Sequence, residues 1–455
     1  MGASTRGGAG RRRTPALLAL LALAAAMLLS ACGSSDSSSG GGGSSDAGGI
    51  GTSDNSGSGG SGTIKLGLLS TLEGPFAPFG EAANMGAKVA LLEFGGKLDG
   101  TGARDLVSGA KVGGKNIELV VESSDATPDV AVEATRRLVE QNKVDVMVGP
   151  LSGDEGIAVK NYAKQHPDVT FVNGSSGAQN TTLRDPAPNF FRYNTDGAQW
   201  MAGLGKYAAG KLGYKHVATV GEDYSFPYDQ VGGFMTEYCA AGGHVDKKIW
   251  VPLGTKDYAS FIAQIPKNLD AVYVALGGTD ALNFTKQFDE FTGKKVPLLG
   301  GSITVDGSII AGLKDRVEGT VSAGPVAVLD TPEYKAYADA LKKNFPKAGP
   351  PGLFDLSYYL NMKSLLQGLD KSGGDVAGQD TKLRSTLSSL SWTTPLGPLK
   401  LDENRQAISN NYLFKVTNGQ SVLLSTVKDV NQTLGFDRQK YISQPSFDRE
   451  HPACP

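Results

Sequence analysis

The sequence predicts an α/β protein with two lobes, each a mainly parallel sheet flanked by helices. Two observations lead to this prediction. From Thr63 onwards, short apolar runs that suit buried parallel strands alternate with helical segments. The same alternation restarts after a boundary between Tyr193 and Gly197. A chain of 455 residues is long enough to bury two sizeable cores.

The elements of the first half follow one another in strict alternation. The run IKLGLL, residues 64–69, predicts the first strand, and a loop over residues 70–80 leads to a helix. In that helix Met85, Val89 and Leu92 form an apolar stripe. The segments NIELVVESSD, VDVMVGP and VTFVNGSS then predict strands, and PDVAVEATRRLVEQ and EGIAVKNYAKQH predict the intervening helices.

The second half begins with a predicted helix, AQWMAGLGKYAAGKLG. Strands HVATVGED, VDKKIWVPL, LDAVYVALGG and KVPLLGGSI alternate with helices DQVGGFMTEYCAAGG, ASFIAQIPKN and ALNFTKQFDEF. Two further helices follow, PEYKAYADALKKNF and LFDLSYYLNMKSLLQGLDKSG. The chain then closes with TPLGPLKLDENRQ and NYLFKVTNGQSVLLSTV, predicted as β-hairpins, the second with its turn at Asn418-Gly419.

The N-terminus has the layout of a secretory signal. Residues 1–31 contain four arginines, then the apolar run ALLALLALAAAMLL, then small residues. The order Leu29, Ser30, Ala31, Cys32 resembles a bacterial lipobox, which predicts removal of residues 1–31 and lipidation of Cys32. An ordinary signal peptide that contains a cysteine is the alternative. Residues 32–62 then form the lipidated cysteine and a Gly/Ser tether.

Charge and motifs exclude several function classes. The formal net charge of −2 becomes more negative once the arginines of the signal are removed, which leaves no electrostatic footprint for nucleic acid. The GxGxxG match at residues 57–62 lies in the tether without a preceding strand. No HExxH motif or clustered ligand set predicts a metal, and no cofactor is expected. No GxSxG elbow occurs after the tether, so the chain is not predicted to be an enzyme.

Six stretches together resemble the leucine/isoleucine/valine-type, or branched-chain amino acid, periplasmic binding proteins, which are substrate-binding subunits of ABC importers. In order, they are IKLGLLSTLEGPFAPFGEAANMGAKVAL, VDVMVGPLSGDEG, FVNGSSGAQNTT, FFRYNTDG, GEDYSFPYDQVGGF and TTPLGPLKLDENR. The resemblance covers about residues 63–430. It implies a periplasmic binding protein type 1 fold, in which two lobes close around a solute.

The resemblance also implies three hinge crossovers between the lobes. They are expected near Asn194–Asp196, Pro325–Leu329 and Thr394–Leu401. Lobe 1 would then comprise residues 63–194 plus 329–395, and lobe 2 would comprise 195–328 plus 396–455.

The expected ligand site consists of the loops beyond the carboxyl ends of the strands. Each candidate has a structural alternative: the aromatic residues could pack within their lobes, and Ser152 or Asp154 could simply cap a helix. The resemblance implies aromatic contacts and hydroxyl groups that hold a ligand carboxylate or ammonium. The candidates are Phe79, Ser152, Ser175 and Ser176 from lobe 1 and Tyr224, Phe226, Asp280 and Ser302 from lobe 2, with Phe76, Tyr228, Thr279 and Thr304 as additional possibilities.

Two positions depart from the family pattern. Ser302 stands where an amino-acid binder places a glutamate for the ligand ammonium, so Asp280 or Asp306 would have to pair with that charge. Gly177 replaces a hydroxyl residue that is common in the branched-chain binders.

The predicted function is that of a lipid-anchored solute-binding subunit of an ABC importer, on the extracytoplasmic face of the cell membrane. It would be a monomer, meet the permease subunits, and capture a small amino-acid-like or carboxylate-bearing solute by closure of its lobes. A ligand sensor of the same fold that signals to a membrane partner is the alternative, and an extracellular hydrolase is a third. The three-crossover topology also brings the C-terminus to lobe 2, where Cys454 could form a disulfide with Cys239 or both could remain free thiols.

Overall fold

The computed structural model describes residues 62–379, 381–452 and 454. The predicted signal, Cys32 and nearly all of the tether lie outside these residues. No helix in the described part is long and apolar enough to cross a membrane. The described chain forms two lobes, each built around its own sheet.

Lobe 1 contains a six-stranded sheet in the order β4-β5-β1-β6-β7-β8. All neighbours in this sheet are parallel except β4 and β5, which form a hairpin. Its strands are β1 (Thr63–Thr71), β4 (Lys111–Val112), β5 (Lys115–Ser124), β6 (Val146–Val148), β7 (Thr170–Val172) and β8 (Phe190–Phe191), and a small ribbon joins β2 (Lys97–Leu98) to β3 (Val107–Ser108). Its helices are α1 (Ala77–Glu93), α2 (Pro128–Arg136), α3 (Gly153–Gln165), α9 (Pro332–Asn344), α10 (Leu353–Ser372) and α11 (Lys382–Ser389).

Strand β1 shows how the sequence builds this lobe. Leu66 and Leu68 point into the apolar cluster under α1 and α10, whereas Leu69 joins the cluster under α2 and α3. Alternate side chains of a strand face opposite sides of a sheet, so a run that is apolar at nearly every position is buried on both faces. The continuous run IKLGLL therefore occupies the middle of the sheet, as predicted.

Lobe 2 contains a nine-stranded mixed sheet in the order β10-β9-β11-β12-β13-β16-β15-β14, with β17 paired to β16. Strands β9 to β13 pair in parallel, and the later strands are antiparallel. The strands are β9 (His216–Glu222), β10 (His244–Val251), β11 (Ala271–Ala275), β12 (Leu298–Gly300), β13 (Val321–Gly324), β14 (Trp392–Thr394), β15 (Gly397–Leu401), β16 (Ala407–Thr417) and β17 (Gln420–Val430). The helices are α4 (Leu204–Gly210), α5 (Ser225–Ala240), α6 (Ala259–Ile262), α7 (Gly278–Thr292), α8 (Gly307–Leu313) and α12 (Arg438–Ser443).

The chain passes between the two sheets three times. It leaves lobe 1 after β8, returns between β13 and α9, and leaves again after α11. At the third passage, β14 pairs with β15 at Thr394↔Gly397, and β15 pairs with β16 at Lys400↔Ile408 and Leu401↔Ala407. Leu396 and Leu399 of this hairpin nevertheless pack into the lobe 1 core. The lobe boundaries stated from the sequence stay a prediction.

Three local predictions were wrong. The helix predicted over residues 259–268 ends at Ile262 as the short α6. The other two have a backbone cause. The predicted helix over residues 198–213 is a 3-10 turn, Gln199–Met201, followed by the short α4, because Gly203 adopts a left-handed φ of 90°. The predicted loop 70–80 is mostly regular structure: β1 runs to Thr71, and α1 begins at Ala77. By contrast, Asn418 and Gly419 have φ values of 54° and 69°, which confirms the predicted turn.

Candidate ligand-binding site

A cavity lies between the lobes, beyond the carboxyl ends of β6, β7 and β9. Its volume is about 40 Å³, room for about three water molecules. Both lobes line it, so the lobes are closed on one another in this structure. Lobe 1 supplies Phe76, Phe79, Leu151, Ser152, Gly153, Ser175, Gly177, Leu353 and Phe354, and lobe 2 supplies Trp200, Tyr224, Phe226 and Ile303.

Aromatic rings form opposite walls of the cavity. In lobe 1, Phe79 stacks on Phe354 with ring centroids 4.4 Å apart. In lobe 2, Phe226 and Trp200 pack edge to face with ring centroids 5.3 Å apart, and the ring centroid of Tyr224 lies 6.3 Å from that of Phe226. Rings from two lobes that face one space can enclose a flat apolar ligand, and aromatic pairs contribute about 0.5–1.5 kcal/mol beyond their buried area.

The start of α3 forms the polar end of the cavity. Ser152 is the N-cap: its Oγ accepts from Glu155 N at 3.4 Å, and Glu155 Oε2 accepts from Ser152 N at 2.7 Å. Ser152 therefore caps α3 and also lines the cavity, so the two predicted roles do not exclude each other. The N–H groups of Gly153 and Asp154 have no intrahelical partner, and a helix N-terminus favours negative charge. Burial raises the pKa of Glu155.

The two neighbouring serines of the β7 loop are placed differently. Ser175 lines the cavity, and its Oγ donates to Leu151 O at 3.1 Å. Ser176 points toward α3, where its hydroxyl leaves no room for a Cβ atom on Gly156, and its buried Oγ has no hydrogen-bond partner. The main-chain oxygen of Ser176 instead accepts from Asn173 and Arg192.

Behind Tyr224 lies a pair of acids that does not line the cavity. Burial raises the pKa of Glu222 to about 8, an effect that the nearby Asp280 charge reinforces and the N–H of Gly277 opposes. Burial also raises the pKa of Asp280, whose Oδ2 accepts from Gly254 N at 2.7 Å. Desolvation and the charge of Glu222 raise the pKa of Tyr224. Glu222 was not among the predicted site residues, because it is the last residue of β9 and the candidates were chosen from the loops that follow the strands.

Ser302 is turned away from the cavity as well. Its hydroxyl accepts from Gln230 Nε2, and its N–H donates to Gln230 Oε1 at 3.3 Å. The adjacent Ile303 lines the cavity in its place. Of the eight predicted contacts, Phe79, Ser152, Ser175, Tyr224 and Phe226 thus surround one cavity, whereas Ser176, Asp280 and Ser302 lie outside it. Ligand contact stays a prediction for all eight.

The residues missed by sequence reasoning are mainly apolar. Leu353 and Phe354 begin α10, which packs along α1 and so returns to the first loop of the lobe. Trp200 belongs to the turn that was predicted as a helix. A signal for Phe354 was present, since GLFDLSYY places an aromatic residue at a helix start, but nothing in the sequence gives its distance from Phe79.

Glycine at position 177 allows the lobes to meet. A Cβ atom on Gly177 would lie 3.1 Å from Phe226 Cδ2 and 3.2 Å from Trp200 Cη2. On Gly153, a Cβ atom would lie 2.6 Å from Ser225 Oγ of lobe 2. The lobe 2 rings therefore occupy the space that a side chain at position 177 would fill.

Arg192 holds the loop that carries Ser175 and Gly177. Its side chain is fully buried, donates to Ala178 O at 2.6 Å and to Thr182 Oγ1 at 2.7 Å, and contacts Asp196 Oδ2 at 3.4 Å. Burial raises the pKa of Asp196, and the Arg192 charge opposes that rise. The first crossover and the ligand loop thus share one buried network. No group of three or more His, Cys, Asp or Glu residues within the described chain could hold a metal ion.

Comparisons with known proteins give one consistent family. A family model described as periplasmic binding protein matches residues 63–421. The chain is 23% identical to Leu/Ile/Val-binding protein homolog 6 of Brucella melitensis over 364 residues, which cover 78% of this chain and 87% of that protein.

Two solved structures match at comparable coverage. One is an ABC transporter substrate-binding protein from Sphaerobacter thermophilus, 26% identical with a TM-score of 0.72, covering 81% of this chain and 99% of that one. The other is a solute-binding protein of an ABC transporter from R. palustris in complex with benzoate, 27% identical with a TM-score of 0.70, covering 81% of this chain and 98% of that one.

Proposed function

The chain belongs to the periplasmic binding protein family, and from that premise we propose that it is the solute-binding subunit of an ABC importer that captures a small aromatic carboxylate between its lobes. The observation that carries this proposal is the composition of the cavity. Aromatic rings line both walls, a helix N-terminus and Ser175 lie at one end, and no acidic or basic side chain lines it among the described residues.

The two classes of ligand differ in charge: an aromatic acid carries only a carboxylate, whereas an amino acid also carries an α-ammonium group. A carboxylate can accept hydrogen bonds from the free N–H groups at the start of α3. The Ser152 and Ser175 hydroxyls donate to Ala126 O and Leu151 O in this structure, so either would have to turn to reach it. An α-ammonium group would need an acidic partner, because an unpaired buried charge is costly. A ring between Phe79 and Phe226, with its carboxylate toward Ser152 and Gly153, satisfies both ends of the site. The benzoate complex of the R. palustris protein supports this class of ligand.

The cavity also requires movement for binding. A cavity of about 150 Å³ holds benzene, whereas the closed cavity here has about 40 Å³. An aromatic acid therefore enters when the lobes are apart, and closure around it is the state that a permease would recognise.

An aliphatic amino acid is the second candidate. The Glu222–Asp280 pair lies behind Tyr224, and a rotation of Tyr224 would expose it. The Brucella relative is named as a Leu/Ile/Val-binding protein.

Calorimetry with matched ligands separates the two candidates. We expect benzoate to bind with a dissociation constant in the micromolar range, and benzamide, which keeps the ring but lacks the charge, to bind more weakly. Leucine should release no measurable heat, because its ammonium finds no acid in the cavity. Tighter binding of leucine than of benzoate would contradict the proposal and favour the second candidate.

When benzoate binds, the Ser175 hydroxyl would have to turn from Leu151 O to the ligand carboxylate. Replacing Ser175 with alanine should therefore weaken benzoate binding by about fivefold, since a hydrogen bond to a charged group is stronger than a neutral one by about 1 kcal/mol. Ser176→Ala is the matched control, because the adjacent hydroxyl is buried outside the cavity. Titration calorimetry of both variants measures the difference. Equal losses in the two variants would mean that Ser175 acts only through the packing of its loop.

The wider proposal places this protein at the membrane. We infer that Cys32 carries the lipid and that the Gly/Ser segment tethers the lobes beside the permease, although Cys32 lies outside the described residues. A sensor role with a signalling partner instead of a permease would use the same ligand closure.

A further inference from the structure

The C-terminal residues 431–452 together with Cys454 form a segment that we call the strap. It follows β17 of lobe 2, lies beyond the residues that the family model matches, and ends where Cys454 is bonded to Cys239 on α5, also in lobe 2. The Cα atoms of the two cysteines are 5.6 Å apart. Both ends of the strap are therefore fixed to the same lobe.

Between those ends, the strap contacts lobe 1. Gln179 Nε2 donates to Gln432 O and to Tyr441 OH, both at 3.0 Å. Arg184 reaches over the strap, where its guanidinium donates to Ile442 O and, at 2.8 Å, to Gln444 O. A closed covalent loop on lobe 2 thus holds a segment of lobe 1, residues 179–184.

The strap then returns to lobe 2. Gln444 is its last residue in contact with Arg184, and Phe447, three residues later, already packs on lobe 2. Phe447 packs against Gly232 so closely that no Cβ atom would fit there. Arg449 Nε donates to Asp223 Oδ1 at 2.8 Å, and the indole N–H of Trp250 donates to Arg449 O at 3.0 Å. Three extended residues span at most about 11 Å, so the strap has little slack between the lobes.

The two segments that the strap joins both carry the ligand site. Residues 179–184 directly follow the loop of Ser175 and Gly177, and Asp223 directly precedes Tyr224 and Phe226. Any change in the angle between the lobes must therefore stretch, bend or release the strap.

We propose that the strap is a fourth connection between the lobes, locked by the Cys239–Cys454 bond, which restrains the hinge and slows ligand release. Arg449 and Arg184 act as positioning residues at its two anchor points. The effect on ligand release rests on the proposed function, whereas the restraint on the hinge does not.

The disulfide is what makes this connection effective. The Arg449 side chain is 61% exposed, and exposed ion pairs contribute only about 0–1 kcal/mol each, so an untethered tail would detach readily. A covalent end keeps the detached contacts at high effective concentration and lets them re-form.

The test compares four forms of the protein: wild type, Cys239→Ser/Cys454→Ser, Arg184→Ala and the combination of all three substitutions. Non-reducing mass analysis first establishes that the two thiols are bonded in the wild type. Small-angle scattering of the ligand-free forms then reports opening of the lobes, and stopped-flow tryptophan fluorescence reports release of benzoate. Lys97→Ala, which removes an exposed lobe 1 cation away from the strap, is the control.

We expect each break in the strap to raise the ligand-free radius of gyration and to speed benzoate release by about fivefold or more, with no further change when both ends are broken. A merely structural bond would lower only the melting temperature. Unchanged scattering in folded variants, or additive effects of the two breaks, would overturn the proposal. If benzoate does not bind at all, the proposed function is wrong. Scattering of the ligand-free forms would still show whether the strap restrains the hinge.

Discussion

Replacing Gly177 with valine should lower the affinity for benzoate by about 5- to 150-fold. Overpacking a close contact costs about 1–3 kcal/mol, and every 1.4 kcal/mol is a factor of ten in affinity. The first added carbon would already lie 3.1 Å from Phe226 Cδ2 and 3.2 Å from Trp200 Cη2, and valine adds two methyl groups beyond it. These rings form the lobe 2 wall, so relief of the clash must move the wall or separate the lobes.

The effect should fall on the liganded state. Without ligand, the lobes can open and remove the contact, so the melting temperature should change little while calorimetry shows the loss in affinity. Gly349→Val is the matched control, because nothing lies within 4 Å of a Cβ atom at Gly349 and the residue does not line the cavity. Wild-type affinity in the Gly177 variant would mean that the closed contact of Gly177 with Phe226 is not part of the liganded protein.

The contact at Gly177 also shows what the sequence can and cannot reveal. Substitution of a hydroxyl residue by glycine is visible in the sequence as a departure from the family pattern. The sequence does not reveal that Phe226 fills the vacated space. Phe226 belongs to the other lobe and contacts Gly177 only when the two lobes close. Contacts across the cleft depend on the relative position of the two lobes, which the local periodicity of the sequence does not determine.

Within one lobe the sequence is far more informative. The run around Leu66 and Leu68 predicts a central strand, because continuous apolar character is required only where both faces of a sheet are covered. Several of the loops that follow the strands line the cavity between the lobes, yet the sequence did not indicate the lining side chain where adjacent residues point apart. Ser302 and Ile303 are the example: hydroxyl chemistry favoured the serine, but Gln230 binds that hydroxyl and the isoleucine lines the cavity.

Substitution of Arg192 should produce the largest loss of stability. Arg192 is fully buried and bonds to the main-chain oxygen of Ala178, to Thr182 Oγ1 and to the carboxylate of Asp196. Arg192→Leu should lower the free energy of unfolding by about 3–5 kcal/mol, since removal of one partner leaves the other charge buried and unpaired. Guanidinium denaturation measures this loss. Arg104→Leu, whose ion pair with Glu81 is 57% exposed on the arginine side, should lose no more than about 1 kcal/mol.

The dependence of that loss on pH identifies its cause. Burial already raises the pKa of Asp196 above its ordinary value of 3.8, and loss of the Arg192 charge should raise it further. A carboxyl whose pKa is higher in the folded than in the unfolded state destabilises the protein as pH rises from the unfolded value through the folded one. The deficit of Arg192→Leu should therefore be larger at pH 7 than at pH 4, and a second change, Asp196→Asn, should recover part of it at pH 7. A deficit independent of pH would instead attribute the loss to the missing hydrogen bonds of Arg192 to Ala178 O and Thr182 Oγ1, which hold the ligand loop.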